Sequence, residues 1–152
     1  GHAFDSTCIV FNSKGEYDPS WIPDEDMQIL LERNEKAVKY FEDNFTVFGI
    51  YHVDGEQTLG ENYADLGGIE CITSLYKTNE DREKLFENYA TIWCEMCTDD
   101  CIIDLITYDS HSPALIRVNA VLSTLDAFYE TYDVKEGDGM YIAPEDRISR
   151  WY

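Results

Sequence analysis

Segment 60–65 of the chain reads Gly-Glu-Asn-Tyr-Ala-Asp and places two carboxylates, Glu61 and Asp65, four residues apart. On a helix this spacing puts both side chains on one face, where two like charges are mildly unfavourable unless a positive group lies beside them. A metal ion that also binds histidine supplies such a charge. The pair is therefore a candidate metal site, and histidines are its expected further ligands.

One of the three histidines, His2, stands directly after Gly1 at the start of the chain. A zinc site of the H-E-x-x-H type has two histidines one helical turn apart, with a glutamate beside the first. Gly1 and His2 match the last two positions of that motif. We therefore expect the first histidine and its glutamate to lie just upstream of residue 1.

The composition is compatible with one folded domain. At 152 residues, with 44% hydrophobic and 14% aromatic residues, the chain can bury a substantial core. Its net charge of −20 would repel nucleic-acid phosphates and anionic membrane surfaces. This charge predicts no nucleic-acid partner. We also expect no membrane contact of this segment, since no apolar run approaches the ~20 residues of a spanning helix and no signal peptide is visible.

The five cysteines cannot form a complete set of disulfides because their number is odd. Cys94, Cys97 and Cys101 follow a helical spacing, which favours small buried residues facing a neighbouring helix over a zinc or redox pair. Unpaired cysteines are typical of reducing compartments, so the sequence favours a cytoplasmic location.

Helix signals divide the first half of the chain. Pro23 followed by three acids, and apolar residues at helical spacing after them, predict a helix over about 24–45. The polar turn around Gly15 predicts a loop or small hairpin within residues 5–19. Residues 47–53 are an extended or helical connector, where we interpret His52 as a surface or structural histidine.

The next helix is predicted to begin at Thr58. Thr58 and Glu61 fit a capping box, which is the structural alternative to a ligand role for Glu61. A capping box does not require Asp65. It also does not explain Gly67 and Gly68, which weaken a helix by about 1 kcal/mol each relative to alanine. These glycines indicate a close approach by another backbone, and we expect this to be the helix that carries His2.

A third helix is predicted from Asn79 to about Asp100, followed by a break near 107–113 and a short helix capped by Ser123 or Thr124. The buried stripe of the third helix comprises Leu85, Phe86, Tyr89, Ile92, Trp93 and Met96. The segment 135–139 is a turn-rich loop, and the aromatic end of the chain is expected to dock on the body.

The break near Pro113 contains a second candidate constellation. His111 and Arg117 lie six residues apart around this proline and can point into one cleft. An imidazole can donate a hydrogen bond to an oxyanion, and a guanidinium can hold a carbonyl or carboxylate with two donors. Alone, such a pair is more often part of an ordinary surface.

Together these segments are similar to the neprilysin family of zinc metallopeptidases, and in particular to its bacterial members of the endopeptidase O type. The matching segments occur in the family's order and are residues 1–5, residues 60–68, His111-Ser112-Pro113 with Arg117, the tail 129–141, and the ending Trp151-Tyr152. The resemblance covers essentially the whole chain, and segment 61–68 is its most specific part.

The resemblance implies a role for each candidate residue. His2 corresponds to the second zinc histidine, and Glu61 to the third protein ligand. Asp65 corresponds to the carboxylate that orients a ligand histidine by accepting its other ring N–H. His111 corresponds to the donor that stabilises the tetrahedral oxyanion, and Arg117 to the residue that holds a substrate carbonyl. The implied cofactor is zinc, and the implied partners are peptides.

The expected fold is mainly α, the helical C-terminal lobe of a thermolysin-like zincin domain with a small hairpin or loop near its N-terminus. Residues 1–152 would form the C-terminal portion of the catalytic domain, beginning at the second histidine of H-E-x-x-H. A catalytic zinc needs three protein ligands and an open position, and this chain offers His2 and Glu61. We therefore expect the isolated chain to be inactive or nearly so, and to bind zinc weakly or not at all.

An alternative is a non-catalytic acidic binding module derived from the peptidase fold. A scaffold has no need of Glu61, Asp65, His111 and Arg117 together, which favours the enzyme. Codons for His-Glu-x directly upstream of residue 1 would support the enzyme, and a start codon there would support the module. An isolated lobe would also expose an apolar face, so self-association is a further expectation.

Overall fold

The computed structural model describes residues 1–151, and Tyr152 of the predicted aromatic ending lies outside this range. The helices and strands are α1 Asp24–Asn44, β1 Thr46–Val47, β2 Tyr51–His52, α2 Gly55–Thr73, α3 Asn79–Ile92, α4 Asp99–Tyr108, α5 Ala114–Leu122 and α6 Asp126–Tyr132. Short 3-10 turns cover His2–Phe4, Cys8–Val10 and Pro144–Asp146. The prediction of a mainly helical fold is confirmed.

Helix α2 lies at the centre of the fold. It packs against α1, α5 and the N-terminal turn His2–Phe4. Asn62, Tyr63 and Leu66 are buried on its inner side, whereas Glu61 and Asp65 lie on a half-buried face. The predicted placement of these two carboxylates on one face of a helix is therefore correct.

The start of α2 differs from the prediction. The helix begins at Gly55, because the Asp54 side chain accepts a hydrogen bond from the Gln57 backbone N–H at 2.9 Å and acts as the N-cap. Thr58 lies inside the helix, where its hydroxyl donates to the Asp54 carbonyl at 2.7 Å. The capping box of Thr58 and Glu61 was wrong, and Glu61 takes no part in capping.

The predicted helix over 24–45 is confirmed almost to the residue as α1. The connector that follows is a tight antiparallel hairpin in which Thr46 pairs with His52. Gly49 supplies a positive φ of 71° in its turn. His52 is exposed, and its Nδ1 lies 3.0 Å from the Glu42 carbonyl oxygen, as expected for a structural histidine. An antiparallel bridge between Phe11 and Tyr17 forms the predicted small N-terminal hairpin.

The third predicted helix was too long. Helix α3 ends at Ile92, residues 94–98 are irregular, and a separate α4 follows with Thr98 as its N-cap. Met96, assigned to the buried stripe, is 99% exposed. Cys94 and Cys101 are exposed as well, so the prediction of a buried cysteine face is overturned. The cytoplasmic location inferred from the cysteines stays a prediction.

Helix α5 was not predicted from the sequence. It begins after Pro113 and buries Ile116, Ala120 and Val121 against α2 and α3. The short helix after it is present as α6, but it starts at Asp126 after Leu125 and has no side-chain cap. The predicted break near 107–113 is present as the loop 109–113, which carries His111, and Arg117 lies on α5.

The core between these helices is largely aromatic and aliphatic. Tyr40 of α1 crosses it and donates a hydrogen bond to the Ala120 carbonyl at 2.8 Å. The largest fully buried side chains are Tyr63, Phe41, Phe86, Leu66, Val121, Asn62 and Ser123.

Among the described residues, no helix has both the length and the apolar character to cross a bilayer. Nothing in these contacts bears on self-association, which stays a prediction.

The close approach predicted at Gly67 and Gly68 is made mainly by the C-terminal tail. A Cβ on Gly67 would lie 3.2 Å from the Trp151 ring, whose Nε1 donates to the Gly67 carbonyl at 3.2 Å. The N-terminal turn also approaches α2, but through Gly1, where a Cβ would lie 2.8 Å from the Ala64 Cα. A Cβ on Gly68 would lie 3.8 Å from the Gly1 backbone nitrogen, so the turn carrying His2 approaches α2 at Gly68, as predicted, and also contacts it one helical turn earlier at Ala64.

Two glycines of α2 predict opposite effects of the same substitution. In Gly55→Ala the new Cβ would lie 2.5 Å from the Val38 carbonyl oxygen, so α1 and α2 must move apart and stability falls. In Gly60→Ala the nearest atom is the Ser6 hydroxyl at 3.5 Å, so stability rises by about 0.5–1 kcal/mol through helix propensity. Urea unfolding measures both changes. Equal effects at the two positions would contradict this packing.

Glu70 predicts a pH-dependent difference in stability. Burial raises the pKa of Glu70, although hydrogen bonds from Ser149 and from the Arg150 backbone oppose the increase. The unfolded chain then ionises first as pH rises above about 4.3, which costs the wild type stability until the native group also ionises. Glu70→Gln removes this loss.

We expect the stability of Glu70→Gln relative to wild type to increase between pH 4 and neutral pH and then to level off. Urea unfolding at several pH values measures this difference, in which the contributions of the other carboxylates cancel. Glu35→Gln, at an exposed position of α1, is the control and should show little pH-dependent difference. A relative stability that falls with pH would contradict the burial argument.

Candidate active site

Glu61 is the point at which the predicted site residues meet. Its Oε2 lies 3.4 Å from His2 Nε2, 3.2 Å from His111 Nε2 and 3.9 Å from Arg117 Nη2. Asp65, one turn further along α2, also contacts Arg117. All five residues selected from the sequence therefore form one connected cluster, although they come from three separate segments.

His2 is oriented by the carboxylate of Asp5, a residue of the N-terminal segment to which the sequence analysis assigned no role. Its Nδ1 lies 2.8 Å from Asp5 Oδ2, while Asp5 Oδ1 accepts the backbone N–H groups of Thr7 and Cys8 at 2.8 and 2.6 Å. Burial raises the pKa of Asp5, but these hydrogen bonds outweigh it and hold the pKa below its usual value. An ionised Asp5 accepts a hydrogen bond from Nδ1–H, and Nε2 then carries the lone pair on the side of the ring that faces Glu61.

His111 has the same kind of support. Its Nδ1 lies 2.6 Å from Asp109 Oδ1, which also accepts the His111 backbone N–H at 2.8 Å. These bonds lower the pKa of Asp109 and keep it ionised. When both ring nitrogens carry protons, Nδ1 donates to Asp109 and Nε2 is a donor facing the Glu61 region. The ring can therefore serve as an oxyanion donor.

The loop carrying His111 is fixed to α2 by one buried and one exposed hydrogen bond. Ser112 donates its hydroxyl hydrogen to Asn62 Oδ1 at 2.9 Å, and both side chains are buried. Gln57 donates its side-chain N–H to the Asp109 carbonyl at 2.6 Å. Asn62 directly follows Glu61, so this contact sets the His111 ring beside the Glu61 carboxylate.

Arg117 and Asp65 form a two-pronged ion pair. Arg117 Nε and Nη2 donate to the two Asp65 oxygens at 2.6 and 2.8 Å, and each side chain is 12% exposed. The guanidinium also lies 3.9 Å above the centre of the Trp93 ring. Burial lowers the pKa of Arg117, but Asp65 and Glu61 outweigh it and raise the pKa above its usual value. Asp65 therefore holds Arg117, and His2 is held by Asp5. The role of Asp65 in orienting a zinc histidine upstream of residue 1 stays a prediction.

The charge of the cluster favours a cation. Asp5, Glu61, Asp65 and Asp109 supply four carboxylates, whereas among the described side chains of this cluster only Arg117 is a permanent cation. Close like charges in a half-buried site raise one another's energy, and a metal ion or protonated histidines relieve this.

The residues present fit part of a zinc site. Two ligands at about 2.0–2.1 Å from zinc, separated by a tetrahedral angle, are about 3.4 Å apart. His2 Nε2 and Glu61 Oε2 are 3.4 Å apart, and with Nδ1 protonated both atoms present lone pairs. Within residues 1–151, no group of three or more His, Cys, Asp and Glu side chains has the arrangement to hold a metal ion. The chain thus provides a partial donor set.

Several residues that build the cluster were missed by sequence reasoning. Asp5 and Asp109 stand three and two residues from the histidines that they orient, a spacing that carries a usable signal. Asn62 and Ser112 carry none, because their contact joins positions 50 residues apart.

Comparison with known proteins identifies relatives along the whole chain. A family model described as peptidase family M13 matches residues 1–148. The neutral endopeptidase of Lactobacillus helveticus is 37% identical over 151 residues, which cover 99% of this chain and 23% of that protein.

Solved structures give the same result. The crystal structure of PEPO from Lactobacillus rhamnosis superposes with a TM-score of 0.87 at 26% identity, covering 97% of this chain and 24% of that chain. The Mycobacterium tuberculosis zinc metalloprotease ZMP1, in complex with an inhibitor, gives a TM-score of 0.84 at 28% identity, covering 99% and 25%. The predicted helical lobe of a zincin peptidase is confirmed. The chain spans about a quarter of the length of these relatives.

The Arg117–Asp65 pair predicts strong energetic coupling. Single variants Arg117→Met and Asp65→Asn each leave a half-buried charge without its partner, which should cost about 1.5–3 kcal/mol of stability. A double-mutant cycle by urea unfolding isolates the coupling energy.

The pair of Arg82 and Glu130 is the matched control. Its atoms are also 2.6 Å apart, but Glu130 is 63% exposed, so the coupling should be about 0.2–1 kcal/mol. Equal coupling energies in the two cycles would show that burial of the Arg117–Asp65 pair is not important.

Proposed function

The chain belongs to peptidase family M13, and from this we propose that it forms the helical, C-terminal part of the catalytic domain of a zinc metalloendopeptidase that cleaves oligopeptides. The observation that carries the proposal is the convergence of His2, His111 and Arg117 on one Glu61 oxygen, within 3.4, 3.2 and 3.9 Å. A structural helix surface has no need of two carboxylate-oriented histidines facing one carboxylate.

His2 and Glu61 would hold the zinc ion, with Asp5 fixing the His2 ring. Bound zinc polarises a substrate carbonyl and lowers the pKa of a bound water. Asp5 accepts a hydrogen bond from Nδ1–H and so keeps Nε2 as the electron-pair donor. The 3.4 Å separation of the two ligand atoms supports this assignment.

His111 and Arg117 would bind the reacting peptide. His111 Nε2 would donate to the oxygen of the scissile carbonyl as negative charge develops there, with Asp109 stabilising the imidazolium. Arg117 would hold a substrate backbone carbonyl, and Asp65 and Trp93 keep its guanidinium in a fixed plane. A fixed donor loses little freedom when substrate binds.

The isolated chain would not be a peptidase. It offers two zinc ligands where a catalytic site needs three, and no glutamate beside a second zinc histidine is available as the general base. We expect weak zinc binding by equilibrium dialysis and no peptide hydrolysis. His2→Gln and Glu61→Gln should weaken the binding further, whereas His52→Gln, on the hairpin, should not. Tight, stoichiometric zinc binding by the isolated chain would contradict the proposal.

A chimera tests the enzymatic role directly. The segment of the Lactobacillus helveticus neutral endopeptidase that aligns with this chain at 37% identity, 23% of that protein, is replaced by this chain. We expect zinc-dependent peptidase activity in the chimera. His111→Gln should lower kcat/KM by about 100- to 1,000-fold, as expected for loss of an oxyanion donor, with His52→Gln as the control. A folded, zinc-loaded chimera without activity would favour the non-catalytic acidic binding module.

A further inference from the structure

Arg150 is a buried cation whose guanidinium binds a backbone carbonyl instead of an anion. Its side chain is 3% exposed, and both Nε, at 2.9 Å, and Nη2 donate hydrogen bonds to the carbonyl oxygen of Phe4. Arginine usually directs such a pair of donors at a carboxylate or phosphate. Here the guanidinium holds one backbone carbonyl, 146 residues away in the sequence.

The Phe4 carbonyl belongs to the turn that sets the His2 ring. The carbonyl of Phe4 and the N–H of Asp5 share one planar peptide group. That N–H donates to the His2 carbonyl at 3.2 Å, and the Asp5 side chain lies 2.8 Å from His2 Nδ1. Holding this peptide plane therefore fixes the direction from which the Asp5 carboxylate reaches His2.

Arg150 is itself held by the helices of the core. Its backbone N–H donates to Glu70 Oε2 at 2.9 Å on α2, and its carbonyl accepts from Arg33 on α1 at 3.2 Å. The guanidinium lies 4.7 Å from the centre of the Tyr63 ring. One residue of the C-terminal tail thus links the N-terminal turn, through its side chain, to α1 and α2, through its backbone.

Placing a cation here is costly. Burial lowers the pKa of Arg150, and its Nη1 is buried without a hydrogen-bond partner among residues 1–151. A buried charge with an unsatisfied donor is a poor source of stability, and an apolar side chain of similar size is often at least as stabilising. The gain from Arg150 is therefore in the orientation of the turn that it holds.

We propose that Arg150 is a positioning residue for the metal-directed His2, acting through the Phe4–Asp5 peptide group. The inference rests on the proposed function, in which His2 is a zinc ligand. Without the guanidinium, the peptide plane can rotate, Asp5 loses its fixed approach to Nδ1, and His2 Nε2 no longer faces Glu61 as an oriented lone pair.

The experiment compares Arg150→Met, Arg150→Lys and the control Arg147→Met in this chain. Methionine keeps much of the apolar volume and removes the donors, whereas lysine keeps one cationic donor. Arg147 is a matched control because it also donates to a backbone carbonyl, that of Ile142, at 3.0 Å and lies over a tyrosine ring, that of Tyr129, at 3.5 Å. It has no contact with the His2 turn.

The readouts are the ring-nitrogen shifts of His2 by long-range ¹H–¹⁵N NMR and the Zn²⁺ concentration that shifts them. In Arg150→Met we expect a smaller population of the Nδ1-protonated tautomer of His2. The ratio of the two tautomers should approach the ratio measured for the denatured chain. We also expect about tenfold weaker Zn²⁺ binding at His2. This is the lower end of the decrease in affinity that follows loss of a residue that orients a metal ligand. Arg150→Lys should recover part of both, and Arg147→Met should change neither.

The outcomes separate the inference from the proposed function. If Zn²⁺ fails to shift His2 in the wild-type chain, which has two of the three zinc ligands, the tautomer of metal-free His2 tests Arg150, and an unchanged tautomer in a folded Arg150→Met overturns the positioning role. If Zn²⁺ binds at His2 and a folded Arg150→Met keeps the wild-type tautomer and affinity, the positioning role is overturned. If Arg150→Met does not fold, Arg150→Lys decides, since an unchanged His2 tautomer and unchanged affinity there would also overturn the role.

Discussion

The candidate site depends on how closely the N-terminal turn approaches α2. Gly1 lies against the backbone at Ala64, where a Cβ would come within 2.8 Å of the Ala64 Cα. This contact brings His2 over the face of α2 that carries Glu61. Since Ala64 directly precedes Asp65, the same helical turn supports the histidine, the carboxylate beside it and the arginine that Asp65 holds. A side chain at Gly1 would lift His2 away from Glu61.

The polar groups of the site are held in position by their own network before any metal binds. Asp5 and Asp109 each accept backbone N–H groups as well as a histidine ring nitrogen. Each carboxylate therefore stays ionised and keeps one histidine oriented. Glu61 has no such backbone donors, and its contacts are with the two histidines and Arg117. It is the least compensated carboxylate of the cluster, which suits a ligand for a divalent cation.

Local signals predicted the helices well where capping and periodicity agreed. Pro23 and the acids after it marked the start of α1, and Asn79 marked α3. The prediction failed where two signals competed. Asp54 caps α2 although Thr58 offered a more familiar pattern, and α3 ends at Ile92 although apolar residues continue at helical spacing. The break allows Trp93 to stack on Arg117, a contact that is not visible in local periodicity.

The sequence by itself identified five of the side chains that take part in the site, because the spacing of Glu61 and Asp65 and the motifs around the two histidines and Arg117 are local properties. It also determined that the chain is mainly helical. Only the tertiary structure decided the pairing. Asp65 holds Arg117, Asp5 holds His2, and Arg150 reaches Phe4. The first and third of these contacts join residues far apart along the chain, and packing around α2 selects them, so no periodicity or motif could specify them in advance. Asp5 and His2 are near neighbours in the sequence, and the structure decided only that their side chains meet.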